Sequence, residues 1–392
     1  MLTQRQLFYN HLAQTSKTPL ALEIEKAEGI YLFDVSGKRY IDLISGISVS
    51  NVGHRHPKVL AAIQNQLDKY LHLMVYGEFI QSPQVKLAKL LADHLPKNLS
   101  SVYFVNSGSE AIEGAMKLAK RYTGRTEIIS FKNSYHGSTH GCLSIMGNEE
   151  FKNAFRPLLP DIRHIEYNNA DDLKHITNHT ACVIVETIQG EAGAVIPQSD
   201  FLKHLRNRCD ETGVLLIADE VQCGFGRTGK LFAFELYDVI PDILCLAKGM
   251  GGGMPIGAFI SSSEIMNSLT ENPILGHITT FGGHPVCCAA SEAALNVLFE
   301  ENLIAHVEHK EKLFRSLLKH PKIKSINGKG LLLALEFESY EQNKTIIDKC
   351  IEKGVITDWF LFNSQSMRIA PPLTITEKEI TAACQIILNC ID

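Results

Sequence analysis

Two short apolar runs, Leu215-Leu216-Ile217-Ala218 and Ile243-Leu244-Cys245-Leu246-Ala247, each stop at a charge, the first at Asp219-Glu220 and the second at Lys248. Both have the length of core strands, and a strand without polar alternation is one buried on both faces, as in a parallel sheet covered by helices. Such sheets build ligand sites outside the carboxyl ends of their strands, where Asp219 and Lys248 both fall. Taken alone, the same residues also read as a helix N-cap at Asp219-Glu220 and a solvated strand end at Lys248.

The rest of the chain sets that sheet in context. Its 392 residues suffice for two or three domains and a substantial core. In residues 1–45, the strand-like runs Gly29 to Asp34 and Arg39 to Leu43 are split by Ser36-Gly37-Lys38, which predicts a hairpin that contributes to a smaller domain. Over residues 46–290, helical patterns such as Glu110 to Tyr122 alternate with strands such as Cys182 to Val185, the signature of a large α/β domain. Residues 291–392 combine amphipathic patterns with the strand-like Leu331 to Leu335, which predicts a smaller α+β domain, with the active site expected where the two domains meet.

Composition narrows the partners. A formal net charge of −5 gives no bulk attraction to nucleic acid or anionic lipid, which leaves small solutes. Ten cysteines without a Cys-x-x-Cys pair predict buried free thiols in a reducing cytoplasm. The start, Met1-Leu2-Thr3-Gln4-Arg5-Gln6, carries no signal-like apolar core and no later run reaches the length of a membrane span, so the expected location is cytoplasmic.

A lysine amine facing a carboxylate suits pyridoxal phosphate. The amine forms a Schiff base, and the carboxylate keeps the pyridine nitrogen protonated so that the ring accepts electrons. Ser107-Gly108-Ser109 follows the strand-like Val102 to Val105 and opens a helix, so its hydroxyls, its amides and the positive helix end could cradle a phosphate. The same triplet is also a common plain N-cap. Tyr135, in Tyr135-His136-Gly137, could cover the face of a pyridine ring. The His136-x-x-x-His140 spacing carries Gly137 and Gly141, which argues against the regular helix a zinc pair needs, and His54-Arg55-His56-Pro57 reads as a helix start.

With these residues in place, the chain resembles class III pyridoxal-phosphate aminotransferases, and most of all their acetylornithine and ornithine subgroup. The segments that carry the likeness are LIADEVQCGFGRT from Leu216 and AKGMGGGMPIGA from Ala247, supported by GKRYIDLISGISVSNVGHRHP, NSGSEAIEGAMKLAKRY, VETIQGEAGAVIP, TTFGGHPVCCAA and MRIAPPL in that order along the chain. The resemblance implies a fold type I enzyme, and a homodimer with shared sites.

It also implies roles, position by position. Lys248 would be the Schiff-base lysine and the proton carrier, Asp219 the partner of the pyridine nitrogen, and Gln222 a neighbour of the ring hydroxyl. Val221 and Tyr135 would pack on the two ring faces. Ser107, Gly108 and Ser109 would hold the phosphate, joined by Thr280 from the partner subunit. Arg368 would grip a substrate carboxylate, and Glu191 would cover it when an ω-amino group reacts. The implied reaction is a ping-pong transfer from N-acetylornithine or an ornithine-like donor to a 2-oxoacid, 2-oxoglutarate first, which would place the enzyme in arginine biosynthesis.

The chain departs from the subgroup at Ser138, where an arginine usually binds the outer carboxylate, with Arg156 and His140 as conceivable substitutes. Ile47 stands where ornithine-specific enzymes tend to have tyrosine. Aminotransferases for 4-aminobutyrate or diamines are the nearest alternative. An aminomutase and a non-catalytic homologue are the more distant ones.

Overall fold

The computed structural model describes residues 2–198 and 200–392. Its central sheet has seven strands in the spatial order Ser101–Val105, Gly257–Ser261, Ile243–Leu246, Leu215–Asp219, Thr180–Glu186, Glu127–Phe131 and Ile162–Ile165. Gly257–Ser261 runs antiparallel to both neighbours, and the other neighbouring pairs are parallel. The strands Thr180–Glu186, Leu215–Asp219 and Ile243–Leu246 are buried at every position, which is the physical reason their sequences are apolar apart from Thr180 and the closing acids Glu186 and Asp219.

Helix Gly108–Thr123 shows how the sheet is covered. Ser107 caps it by accepting from the Glu110 amide, and Gly124 ends it in the left-handed region at φ 68°. Ala111, Ile112, Ala115, Met116, Leu118 and Ala119 fall on its buried face at helical spacing, where they join a core with Ile184, Ile217 and Phe259.

Two four-stranded sheets flank this layer. In the first, the expected hairpin pairs Tyr31–Asp34 with Arg39–Asp42, and Val355–Ile356 then adds in parallel to Arg39–Asp42, joining the two ends of the chain. The second, built from Ser325–Lys329, Leu332–Glu336, Trp359–Phe360 and Asn363–Ile369, is antiparallel and carries Arg368. Helix Pro285–Glu300 runs unbroken through residue 290 and packs on Pro57–Leu67 and Ser82–Asp93. All ten cysteines are buried and free, as expected. Among the described residues no helix is long and apolar enough to cross a membrane.

Arg227 ties distant segments together. Its fully buried guanidinium donates to the carbonyls of Leu331 and Pro371, to Ser45 Oγ and to Asn51 Oδ1. Burial pushes it down to about 9 from the ordinary arginine value. Replacing it by methionine would orphan several buried acceptors at once, so Arg227→Met is expected to lower the unfolding free energy by about 3 kcal/mol or more, read from urea denaturation.

Candidate active site

Three adjacent strand ends make the floor of the site. Glu186 and Asp219 are register partners at the ends of their strands, and Asp219 pairs in turn with Cys245. Lys248 lies two residues beyond the end of Ile243–Leu246. It opens a short turn over Lys248–Gly251 with its own φ at 48°. A non-glycine residue held there costs about 1 to 3 kcal/mol, and such strain collects at functional positions.

Above this floor is a cavity of about 420 Å³, lined by Ser107, Gly108, Ser109, Tyr135, Asp219, Val221, Gln222 and Lys248. Thr280 is not among the lining residues of its own chain and is exposed. Neither alternative role of the charged pair is realised. No helix follows Asp219-Glu220, and Lys248 is half-buried.

Asp219 is 5% exposed, so its charge needs partners. His136 Nδ1 lies 2.7 Å from Oδ2, and the Val221 amide donates to Oδ1 at 3.0 Å. The adjacent Glu220 turns away, accepting from the Thr187 hydroxyl and the Ala233 and Phe234 amides, and burial pushes it up to about 7. Glu186 also lines the cavity. It is buried, and its Oε2 has no hydrogen-bond partner among the described residues. Burial, then the charges of Asp219 and Glu191, push its carboxyl well above the ordinary value.

Burial pushes the Lys248 amine the other way, below the lysine range, although Glu191 and Asp219 oppose the shift. At the far side, Gly108 and Ser109 occupy the first turn of helix Gly108–Thr123, where amides have no preceding carbonyl to bond and the helix end is positive. Gly137 lets the Tyr135-His136 loop meet that turn. A Cβ there would come within 2.1 Å of Ser109 Oγ, and φ is 122°.

Glu191 and Arg368 stand beside this cavity, joined to it through Gln222. Gln222 Nε2 donates to Glu191 Oε1 at 3.3 Å, and a Cβ on Gly190 would fall 1.5 Å from Gln222 Oε1. Arg368 meets Glu191 through both terminal nitrogens, at 3.1 and 3.0 Å. Burial pushes Glu191 up, but Arg368 prevails and leaves it below the usual carboxylate value. Ser138 Oγ lies 3.2 Å from the Tyr135 hydroxyl. Arg156 is exposed and paired with Glu149, and His140 bonds the Pro157 carbonyl at 2.9 Å.

Comparison with known proteins decides the family. The profile of the family Aminotransferase class-III matches residues 12–391. An acetylornithine aminotransferase of Methanopyrus kandleri is 41% identical over 378 residues, covering 95% of this chain and 94% of the relative. The chain is a class-III aminotransferase. Pyridoxal phosphate is the cofactor that this membership carries.

The aminotransferase also superposes on the ornithine aminotransferase of Toxoplasma gondii with a TM-score of 0.91, at 31% identity over 98% of this chain and 92% of that one. With adenosylmethionine-8-amino-7-oxononanoate aminotransferase from Methanocaldococcus jannaschii the TM-score is 0.92, at 32% identity over 99% and 98% of the two chains. The donor set of the aminotransferase fits such a cofactor. A buried carboxylate, a lysine with a lowered pKa and a helix N-terminus with bare amides share one cavity.

Sequence reasoning weighed His136 only as a metal ligand and did not single out Glu186. The cue for Glu186 was an acid closing an apolar strand, the same cue that marks Asp219. Glu186 gives a pH test. Above its ordinary value of 4.5, the unfolded chain releases the proton while the folded chain keeps it, so the wild type loses stability as pH rises. Relative to wild type, Glu186→Gln is expected to gain about 1.4 kcal/mol per pH unit until the folded group ionises, read from urea midpoints between about pH 5 and about pH 8.

Proposed function

We propose that this aminotransferase moves the ω-amino group of N-acetylornithine or an ornithine-like donor to a 2-oxoacid, with 2-oxoglutarate as the acceptor, in two successive half-reactions on one site. The observation that carries the two-substrate reading is the closed Glu191–Arg368 pair, at 3.0 and 3.1 Å beside Gln222. With Glu191 in place the guanidinium is covered, and the pocket suits the uncharged end of an ω-amine. With Glu191 turned aside, the same guanidinium offers a bidentate fork to the carboxylate of a 2-oxoacid.

Pyridoxal phosphate, when bound, supplies the electron sink that stabilises a carbanion at the amino-bearing carbon. The chain's residues do the rest. Asp219, held by His136 and the Val221 amide, is the group assigned to keep the pyridine nitrogen protonated. Lys248 moves the proton at the reacting carbon, and its lowered pKa suits a base near neutral pH. Ser107, Gly108 and Ser109 are assigned to the phosphate, Val221 and Tyr135 to the ring faces, and Gln222 to the ring hydroxyl.

The assembly we propose is a homodimer that shares its sites. The exposed Thr280 supports it, as do the exposed apolar side chains Leu71, Phe79, Ile80, Ile274 and Ile278 on two segments linked where His72 meets the Phe281 ring. The chain would divide into a first stretch 1–45, a large cofactor domain 46–290 and a terminal domain 291–392, with the sheet contact of Val355–Ile356 and Arg39–Asp42 as support for joining the outer two. A cytoplasmic location fits the reading.

A donor panel tests the substrate. In single-turnover visible spectra, N-acetylornithine is expected to convert the lysine-bound cofactor band faster than ornithine, 4-aminobutyrate or putrescine. Conversion by a donor without an α-carboxylate, with none by acetylornithine, would move the assignment to the diamine or 4-aminobutyrate class, a second reading that Ser138 favours. Lys248→Ala is expected to abolish both turnover and that band, and normal steady-state activity in this variant would overturn the role of Lys248.

A further inference from the structure

Arg368 is only 2% exposed, and its guanidinium is held from three sides. The two terminal nitrogens go to Glu191. The inner nitrogen, Nε, donates to Asp358 Oδ1 at 2.8 Å. The guanidinium carbon stands 4.4 Å from the centre of the Phe360 ring. These contacts differ in how firmly they are built in. Asp358 is tied to the arginine through the backbone as well, since the Arg368 amide donates to the Asp358 carbonyl at 2.9 Å. Beside it, the Thr357 hydroxyl donates to the Arg368 carbonyl at 2.6 Å. Glu191 comes from the separate Gly190–Gly193 turn; its carbonyl accepts from the Phe362 amide at 3.0 Å and its Oε2 from the Leu361 amide at 3.1 Å, while its link to Arg368 itself is by side chain alone.

We propose that Asp358 is a positioning residue that holds Arg368 in place while Glu191 is away, so that the outer edge of the guanidinium alone changes partner between the two half-reactions. This inference rests on the reading of Arg368 as the acceptor's carboxylate site. When Glu191 turns aside, both terminal nitrogens of a buried cation lose their carboxylate, and Nη2 keeps only the Trp359 carbonyl at 3.4 Å. Without Asp358 the guanidinium would then keep that long contact and the Phe360 ring, and a buried cation with no carboxylate partner relaxes toward any acceptor within reach. With Asp358 in place, Nε stays anchored and part of the charge stays neutralised. The fork therefore meets the incoming carboxylate without first paying to reorder.

The test compares Asp358→Ala, Asp358→Asn and Arg368→Gln in the cofactor-loaded enzyme, with the two half-reactions measured separately. The donor is the best of the panel above, and the acceptor is 2-oxoglutarate. Binding of glutarate, an unreactive dicarboxylate, is followed by calorimetry as a readout apart from turnover. In Asp358→Ala we expect the KM for the acceptor and the Kd for glutarate to rise about tenfold, with the donor half-reaction within about twofold of wild type. Asp358→Asn, which keeps an acceptor for Nε, is expected to restore both constants to within about threefold of wild type.

Equal losses in both half-reactions would assign Asp358 a merely structural role and overturn the proposal. So would an Asp358→Asn variant as impaired as Asp358→Ala. An unaltered Asp358→Ala beside an Arg368→Gln that loses the acceptor would overturn the proposal and leave the reading of Arg368 standing. An Arg368→Gln with a normal acceptor KM would remove that reading, and the proposal with it. Should Asp358→Ala not fold, Asp358→Ser carries the same expectation.

Discussion

A buried carboxylate at the end of a fully apolar strand is the constraint on which the site depends. Burying a carboxylate without partners is costly, and Asp219 is 5% exposed. Two donors offset that cost, the His136 ring and the Val221 amide, and each is delivered by a different part of the fold. His136 arrives on the loop that follows Glu127–Phe131, and Val221 on the turn that follows Asp219 itself. The loop reaches Ser109 only because Gly137 has no side chain. The carboxyl group at the base of the cavity and the helix N-terminus at its edge are thus held in register by one close approach of backbone.

Two buried guanidiniums in the same protein show how partner chemistry separates structure from function. Arg227 is satisfied chiefly by carbonyl and side-chain amide oxygens belonging to distant parts of the chain, contacts that nothing in a catalytic cycle would replace. Arg368 is satisfied chiefly by two carboxylates, Glu191 and Asp358, with one longer contact to the Trp359 carbonyl. A carboxylate partner can be exchanged for a substrate carboxylate of the same charge and shape at little electrostatic cost, whereas backbone carbonyls cannot. The first arrangement fixes segments, and the second leaves an exchangeable edge.

Much of this was legible in the chain itself. Uniform apolarity announced the buried parallel strands, because no other environment removes the need for alternation. The charges that close those runs marked Asp219 and Lys248. The start of one helix followed from its cap at Ser107. What sequence could not supply was pairing across long separations. His136 and Asp219 are 83 positions apart, and Arg368 and Glu191 are 177 apart. Spacing rules report on one helix or one strand and are silent on such contacts. The family resemblance supplied Glu191 and Arg368, while Asp358, which lies ten positions from Arg368 across a hairpin, belonged to none of the quoted segments. Nor could spacing place the substitutes considered for an arginine at 138, Arg156 and His140, whose partners are Glu149 and the Pro157 carbonyl.

The charges of the cavity are arranged so that one amine can change its protonation state. Glu186 and Asp219 end neighbouring strands side by side; Asp219 has a partner on each oxygen, whereas Glu186 Oε2 has none among the described residues. Burial pushes the Glu186 carboxyl well above its ordinary value, while Glu191 is committed to Arg368. If Glu186 were also ionised, the added negative charge would raise the Lys248 amine and offset the burial that lowers it. The acid and the amine are thus shifted in opposite directions over one floor, and the strained backbone at Lys248 fixes the amine there.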